Sequence, residues 1–363
     1  MTIKDITSYL EQIAPVSLQE SYDNSGLLVG EPNGEVSKVL ISLDVTEDVV
    51  EEAVQKGCEL IISHHPIIFS GLKSLTGKNY VERTVLAAIK NNIALYAIHT
   101  NLDNIYQGVN KKIADKLGII NPKILAPKKG LLKKLVVFAP IANREELLNA
   151  MFKAGAGTIG DYSECSFSVS GKGTFNGGED TDPYVGTPGE RHTETEDRLE
   201  FIVEQFKLSA VLKAMHEVHP YEEVAYDIYA LENSYQQVGS GMVGMLPEPV
   251  YAMDFLKIIK DTFGGVVRYT LLVKDYVQRI AWCGGSGSFL MKNAVNAKAD
   301  IFITSDLKYH QFFDAEKKII FADIGHFENE QYTIELLCDI IKEKFPTFAV
   351  LLTETNTNPI NYL

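Results

Sequence analysis

The stretch Glu59–Phe69, ELIISHHPIIF, constrains this chain more than any other. Leu60-Ile61-Ile62 is apolar on both faces and rich in β-branched residues, which reads as a buried parallel strand. Pro66 cannot donate to a ladder, so the strand ends there and His64 and His65 fall at its carboxyl end. In an open α/β sheet that end is where ligands bind. Two adjacent histidines in a turn can converge on one spot, or they can be a pair of exposed loop residues. The rest of the chain has to separate these readings.

Around this stretch the pattern is α/β. Thr2-Ile3-Lys4-Asp5 has capping-box spacing, and Ile3, Ile6, Leu10 and Ile13 recur at helical spacing before Pro15. Lys38–Leu43 is expected as a strand, and Glu47–Lys56 as a helix capped by Thr46 and ended by Gly57. With the Glu59 strand this is a βαβ unit with parallel strands. A helix over Val81–Asn91 and a strand over Ile93–Ile98 follow. That strand runs into His99-Thr100-Asn101-Leu102-Asp103-Asn104. Tyr22-Asp23-Asn24 precedes a short strand, and local sequence favours turn chemistry for Asp23 and Asn24.

Near Pro127 the pattern changes. Strands over Leu132–Ala139, Cys165–Phe175, Arg198–Glu204 and Val224–Leu231, with helices over Arg144–Lys153 and Leu208–Val218, give the order β-α-β-β-α-β, the ferredoxin-like pattern. The middle of this segment, Asn176–Asp197, is a glycine-rich acidic loop in which His192 reads as solvated. Residues 131–240 hold 9 Lys+Arg against 18 Asp+Glu, so most of the chain's net charge of −14 sits there. Because α/β pattern resumes after Gly239, the segment reads as an insertion. The expected organisation is core lobe one over 1–130, the insert over 131–239 and core lobe two over 240–363. In the second lobe, Arg279–Cys283 runs into Gly284-Gly285-Ser286-Gly287-Ser288, a layout that can present N–H groups to an anion. Ile301–Thr304 ends in Ser305-Asp306. A helix is expected near Tyr309–Glu316. Ile319–Ala322 ends at Asp323-Ile324-Gly325-His326, and Glu328–Lys344 is expected as one amphipathic helix.

Three apolar strands therefore end in candidate metal ligands: His64 and His65, then Asp103, then His326. On a helix starting at His326, Glu330 is an i,i+4 partner on the same face. Three histidines and two carboxylates make a mixed N/O set that suits Zn, Fe or Mn and fits Ca or Mg poorly. Five ligands exceed the usual need of one catalytic zinc and match two ions bridged by a carboxylate. His99, four residues before Asp103, can ligate or can hold a ligand from behind, and it stays outside this first set. Asp44 and Asp306 also end strands, either as outer partners of ligands or as polar caps. His99 and His310 are the available proton shuttles. No other catalytic residue is identified, and no organic cofactor is expected.

These motifs resemble those of a known family, the Nif-three-like proteins (NGG-interacting factor three), catalogued as GTP cyclohydrolase I type 2 homologues. The resemblance rests on Tyr22-Asp23-Asn24 with Gly26-Leu27, Ser63-His64-His65-Pro66, His99 through Asp103, Gly284 through Gly287, and Gly325-His326 through Glu330. It covers the whole core. It implies two divalent metal ions per chain held by His64, His65, Asp103, His326 and Glu330, and a homo-hexameric toroid. His219-Pro220-Tyr221-Glu222 with Ala225-Tyr226-Asp227 is similar to the signature of a PII/CutA-like insert. The implied fold is a Nif-three-like α/β core of two lobes around a metal cleft, interrupted by that insert. Tyr22 stands where the family has Trp, and Val224 where it has Pro; neither position touches the metal set.

The expected function is a metal-dependent hydrolase acting on a nucleotide-like or phosphorylated substrate, in which two ions bring a water's pKa toward neutrality. GTP ring opening is one specific form. The alternative is a non-enzymatic metal-binding hexamer, a regulator or scaffold whose insert senses a ligand. A pI of about 5.1 argues against nucleic-acid or anionic-membrane partners. The four cysteines form no CxxC; Cys58, Cys283 and Cys338 lie in apolar runs and read as buried thiols. With no signal region or apolar run of membrane-spanning length, a cytoplasmic location is expected.

Overall fold

A computed structural model describes all residues, Met1–Leu363. It forms two compact units, one of residues 1–127 with 237–363 and one of residues 128–236.

The first unit holds two sheets. One has five strands in the order Gly26–Val29, Ala94–Ala97, Leu60–Ser63, Lys38–Ser42, Ala349–Leu352. All neighbours are parallel except the Gly26–Val29 edge, which runs antiparallel to Ala94–Ala97. The parallel strands are buried throughout their centres, as their unbroken apolar runs require. Leu40, Ile61 and Leu95 pack with Val49, Ala53, Val85 and Ala88 from the crossover helices Glu47–Lys56 and Tyr80–Lys90. The first of these helices starts at Thr46, whose hydroxyl accepts from Val49 N at 3.3 Å. It ends at Gly57, whose φ of 66° closes the last turn.

The other sheet has six strands in the order Arg268–Tyr269, Ile320–Asp323, Ile301–Ser305, Tyr276–Ser286, Ser234–Tyr251, Ile120–Lys129. Its middle three strands are parallel, so Ser286, Ser305 and Asp323 share one edge. Each sheet completes itself from the far end of the sequence: the five-stranded one takes Ala349–Leu352, and the six-stranded one takes Ile120–Lys129. The helix expected near Tyr309–Glu316 is a 3-10 helix, Tyr309–Ala315. The helix expected over Glu328–Lys344 is two helices, His326–Glu330 and Thr333–Lys344.

The second unit is a four-stranded antiparallel sheet in the order Ser166–Asn176, Arg191–Glu204, Leu132–Pro140, Tyr226–Ala230, the strand order of the ferredoxin-like arrangement. Helices Arg144–Lys153 and Leu208–Val218 cover one face, burying Leu147, Met151, Val211 and Met215 against Leu135, Leu199 and Phe201. The expected polar loop Asn176–Asp197 is shorter than its composition indicates. Arg191–Asp197 is strand, with Thr193 opposite Thr174 and Thr195 opposite Lys172. Its charged residues hid a ladder that has solvent on one side. No helix of the chain is long and apolar enough to cross a membrane.

Candidate metal centre

The strand Leu60–Ser63 delivers His64 and His65 together because the backbone stays engaged past its end. His64 N donates to Ser42 O at 3.3 Å, and His65 N to Leu43 O at 2.9 Å. His64 is fully buried, and its Nδ1–H donates to the Ile98 carbonyl at 2.9 Å. A carbonyl only accepts, so Nε2 carries the lone pair and faces inward.

The same device recurs at each imidazole. His65 Nδ1 donates to Asp44 Oδ1 at 2.7 Å, His99 Nδ1 to Asp23 Oδ1 at 2.7 Å, and His326 Nδ1 to Asp306 Oδ2 at 2.6 Å. Ring orientation is fixed from behind and every Nε2 is left to the cluster, the usual outer support of metal-binding histidines. Asp306 adopts φ 57° to place its carboxylate, a conformation that Asp tolerates better than most residues. Asp44 is itself held by Thr357 Oγ1 at 2.7 Å. Both strand-end aspartates are therefore outer partners of histidines.

Two carboxylates complete the cluster. Asp103 comes from a one-turn helix, Thr100–Asn104, and Glu330 from the helix His326–Glu330. Glu330 Oε2 accepts from His65 Nε2 and from His326 Nε2, each at 3.0 Å. His64 Nε2 lies 3.5 Å from Asp103 Oδ1 and 3.8 Å from Glu330 Oε1. His64 Nε2 and Asp103 Oδ1 are both buried and have no hydrogen-bond partner. Two buried acceptor atoms aimed at one point are costly unless a cation sits between them. Ligand atoms of three sets lie within 4.8 Å of one another: His64, His65 and His99; His65, His326 and Glu330; His64, Asp103 and Glu330. The residues present thus fit a metal ion. The five candidate ligands named from the sequence are brought together, with His99 beside them.

Protonation follows the same geometry. Burial alone would lower His65, but hydrogen bonds to Asp44 and Glu330 outweigh it and hold the imidazole at about 9. His326 is likewise opposed by burial yet raised to about 11 by the charge of Glu330 and its bond to Asp306. Burial, reinforced by the neighbouring charge of Glu330, pushes Asp103 up to about 8. Burial also opposes ionisation of Glu330, but His326 and the other imidazoles hold it well below the usual carboxylate range.

Two N–H groups of the glycine-rich turn are tied to side chains of the core. Gly284 N donates to Asn110 Oδ1 at 2.9 Å, and Gly287 N to Thr304 Oγ1 at 2.8 Å, so those donors are already committed. Gly285, at φ 60°, is the position where a Cβ would collide with the Glu330 carboxylate and meet His326 Cε1 at 3.5 Å. Its lack of a side chain makes room for the Glu330 carboxylate. The cluster opens into a cleft of about 380 Å³ whose lining contains no Lys or Arg. Tyr22, Phe69 and Phe289 stand around it with substantial exposure. His310 is exposed, meets Tyr309 edge-on and stacks beside Phe313, and does not line this cleft, so of the two candidate shuttles only His99 is at the site. Asp23 is more than a turn residue: besides His99 it accepts from Thr100 N at 3.0 Å and Asn24 N at 2.7 Å. A histidine and an aspartate 76 positions apart gave no local signal of this pairing.

Two α/β sheets carrying a histidine–carboxylate cluster at their adjoining strand ends define a protein able to hold a metal ion. The chain belongs to the Duf34/NIF3 (NGG1p interacting factor 3) family, which matches residues 1–359. It is 36% identical over 364 residues to the "GTP cyclohydrolase 1 type 2 homolog" of Halalkalibacterium halodurans, covering 99% of this chain and 98% of that one. The protein of the same name from Bacillus subtilis is 35% identical over 366 residues, with 99% and 98% coverage. A crystal structure of a Bacillus cereus protein related to NIF3 superposes with a TM-score of 0.87 at 35% identity, over 100% of this chain and 99% of that one.

Proposed function

We propose that this chain is a dinuclear metal-dependent hydrolase of nucleotide-like or phosphorylated substrates, with His64, His65, Asp103, His326 and Glu330 as ligands to two Zn, Fe or Mn ions. The observation that carries this reading is the pair of buried, unpartnered acceptors His64 Nε2 and Asp103 Oδ1, 3.5 Å apart inside a ring of outward-anchored imidazoles. Glu330 Oε2 meets His65 and His326 while Oε1 faces His64, so this carboxylate would serve both ions. Bound there, divalent ions supply Lewis acidity and an activated water.

The chain's own groups do the rest. His99 lines the cleft with Nδ1–H held by Asp23, so its Nε2 is oriented to take up or return a proton at the substrate. Tyr22 and Phe69, with ring centroids 6.1 Å apart, give a planar ring a surface to lie against. With no Lys or Arg in the wall, an anionic group in the cleft is countered only by bound cations, which favours substrates whose charged group meets the cluster. The names of the relatives point to a purine nucleotide as one such substrate.

The test is hydrolysis across nucleoside triphosphates and phosphoesters, with and without chelator. Turnover that chelator abolishes and added metal restores supports the reading; metal-loaded protein without turnover on either class overturns it. The latter result moves weight to a metal-binding hexameric regulator or scaffold, a reading favoured by the separately packed unit of residues 128–236 with its own cavity. A homo-hexamer is part of the proposal in either form, and light scattering on the eluted protein checks it.

A further inference from the structure

The unit of residues 128–236 contains a cavity of about 410 Å³ that the metal centre does not use. Its walls combine two kinds of group. Phe175, Tyr184 and Tyr221 contribute aromatic faces. The Tyr221 centroid is 6.4 Å from that of Phe175 and 6.1 Å from that of Tyr184, at interplanar angles of 54° and 52°. Glu196, Glu222 and Glu223 contribute carboxylates, and the lining includes no Lys, Arg or His.

The arrangement is braced. Tyr221 OH donates to Glu196 Oε1 at 2.9 Å. Tyr221 N donates to His219 Nδ1 at 3.1 Å, while His219 Nε2–H donates to the Phe138 carbonyl at 2.9 Å. That pairing uses the neutral imidazole, and burial lowers His219 to match. Thus His219 and Tyr221 of the His219-Pro220-Tyr221-Glu222 motif hold one wall. Gly173 holds another, because a Cβ there would collide with the second oxygen of Glu196. Two nearby cations are already engaged: Arg198 with Glu200 at 3.1 Å, and Arg144 with Asp197 at 3.2 Å.

We propose that this cavity binds a small organic cation, of the alkylammonium class, against the rings of Phe175, Tyr184 and Tyr221 and the carboxylate of Glu196. Aromatic faces attract a cation through their quadrupole, most strongly when water is excluded, and a carboxylate adds direct charge pairing. An anion would meet three carboxylates and no counter-charge. A bare metal ion would find no converging ligand set, since none of these carboxylates belongs to a group with metal-ligand spacing. A neutral apolar ligand would gain from the rings but leave the acidic side of the cavity unmatched.

The experiment is titration of the full-length protein with choline and with its neutral isostere 3,3-dimethylbutan-1-ol, followed by saturation-transfer NMR. Choline is expected to saturate below about 10 mM and the isostere to bind at least about tenfold more weakly. Tyr184 is 56% exposed and lies outside the buried core of this unit, so Tyr184→Ala removes a ring of the cavity wall while leaving that core intact. Glu196→Gln keeps an acceptor for Tyr221. Each variant is expected to weaken choline binding about tenfold. The proposal is overturned if choline, tetramethylammonium and agmatine all fail to saturate by about 10 mM, if the neutral isostere matches choline, or if Tyr184→Ala binds choline as the parent does.

Discussion

His65 Nε2 and Glu330 Oε2 are 3.0 Å apart although 265 positions separate the two residues in the chain. That contact joins the carboxyl end of one sheet to that of the other. Glu330 also meets His326 from its own helix and faces His64, so one carboxylate ties three imidazoles together.

Gly285→Ala adds a methyl group where φ is 60° and where the Glu330 carboxylate already lies. Both effects act in the same direction. The variant is expected to lose about 1–3 kcal/mol of stability, measured by urea unfolding, and to bind metal more weakly than the parent. Unchanged stability and unchanged metal content would contradict the role assigned to this glycine.

Asp306→Asn removes no proposed ligand but weakens the support behind His326, and Asp44→Asn does the same behind His65. Each is expected to lower metal affinity by about 10–100-fold, read by chelator competition, while the purified protein stays folded by circular dichroism.

Glu52 clasps the segment that follows the C-terminal strand. Its carboxylate accepts from Thr353 Oγ1 at 2.5 Å, Glu354 N at 2.8 Å and Thr355 Oγ1 at 2.6 Å, and it pairs with Lys56 at 2.7 Å. Burial opposes its ionisation, but these bonds dominate and hold the carboxyl down at about 2. A carboxyl depressed in the folded state stabilises the fold above the unfolded value of about 4.5, and that stability is lost as pH falls toward 2. Glu52→Gln is therefore expected to cost about 1–3 kcal/mol at pH 7, with a visibly smaller deficit near pH 3, by thermal unfolding at both.

Removing residues 128–236 and joining the ends with a short linker is expected to leave a folded core that still binds metal. The flanking strands Ile120–Lys129 and Ser234–Tyr251 are neighbours in one sheet, and the position of a Gly239 Cβ falls 2.7 Å from Pro127 Cα. The chain thus leaves the core and returns to it at adjacent points. An aggregated or metal-free product would contradict the reading of this segment as an insertion.

Local chemistry explains what was legible in the sequence. The runs at Leu60–Ile62 and Ile301–Thr304 announce buried parallel strands because burial on both faces demands unbroken apolar residues, and the candidate ligands follow directly at or near strand ends. The βαβ order and the β-α-β-β-α-β segment are legible for the same reason. What escaped depends on distant pairing. The exchange of Ala349–Leu352 and Ile120–Lys129 between the halves of the core leaves no periodicity to read. Asp23 looks like any turn aspartate until Thr100 and His99 are brought to it. The strand character of Arg191–Asp197 is masked by charged side chains that face solvent beside a polar partner strand. Glycine at 285 reads as turn freedom, whereas in the fold it is space for Glu330.

The most direct test of the central claim is the metal content of the purified full-length chain, by elemental analysis, beside Glu330→Gln and His65→Ala. The account predicts two divalent ions per chain in the parent, after reconstitution if needed, and fewer in both folded variants. Absence of metal in the reconstituted parent, or two ions retained by both variants, would contradict it.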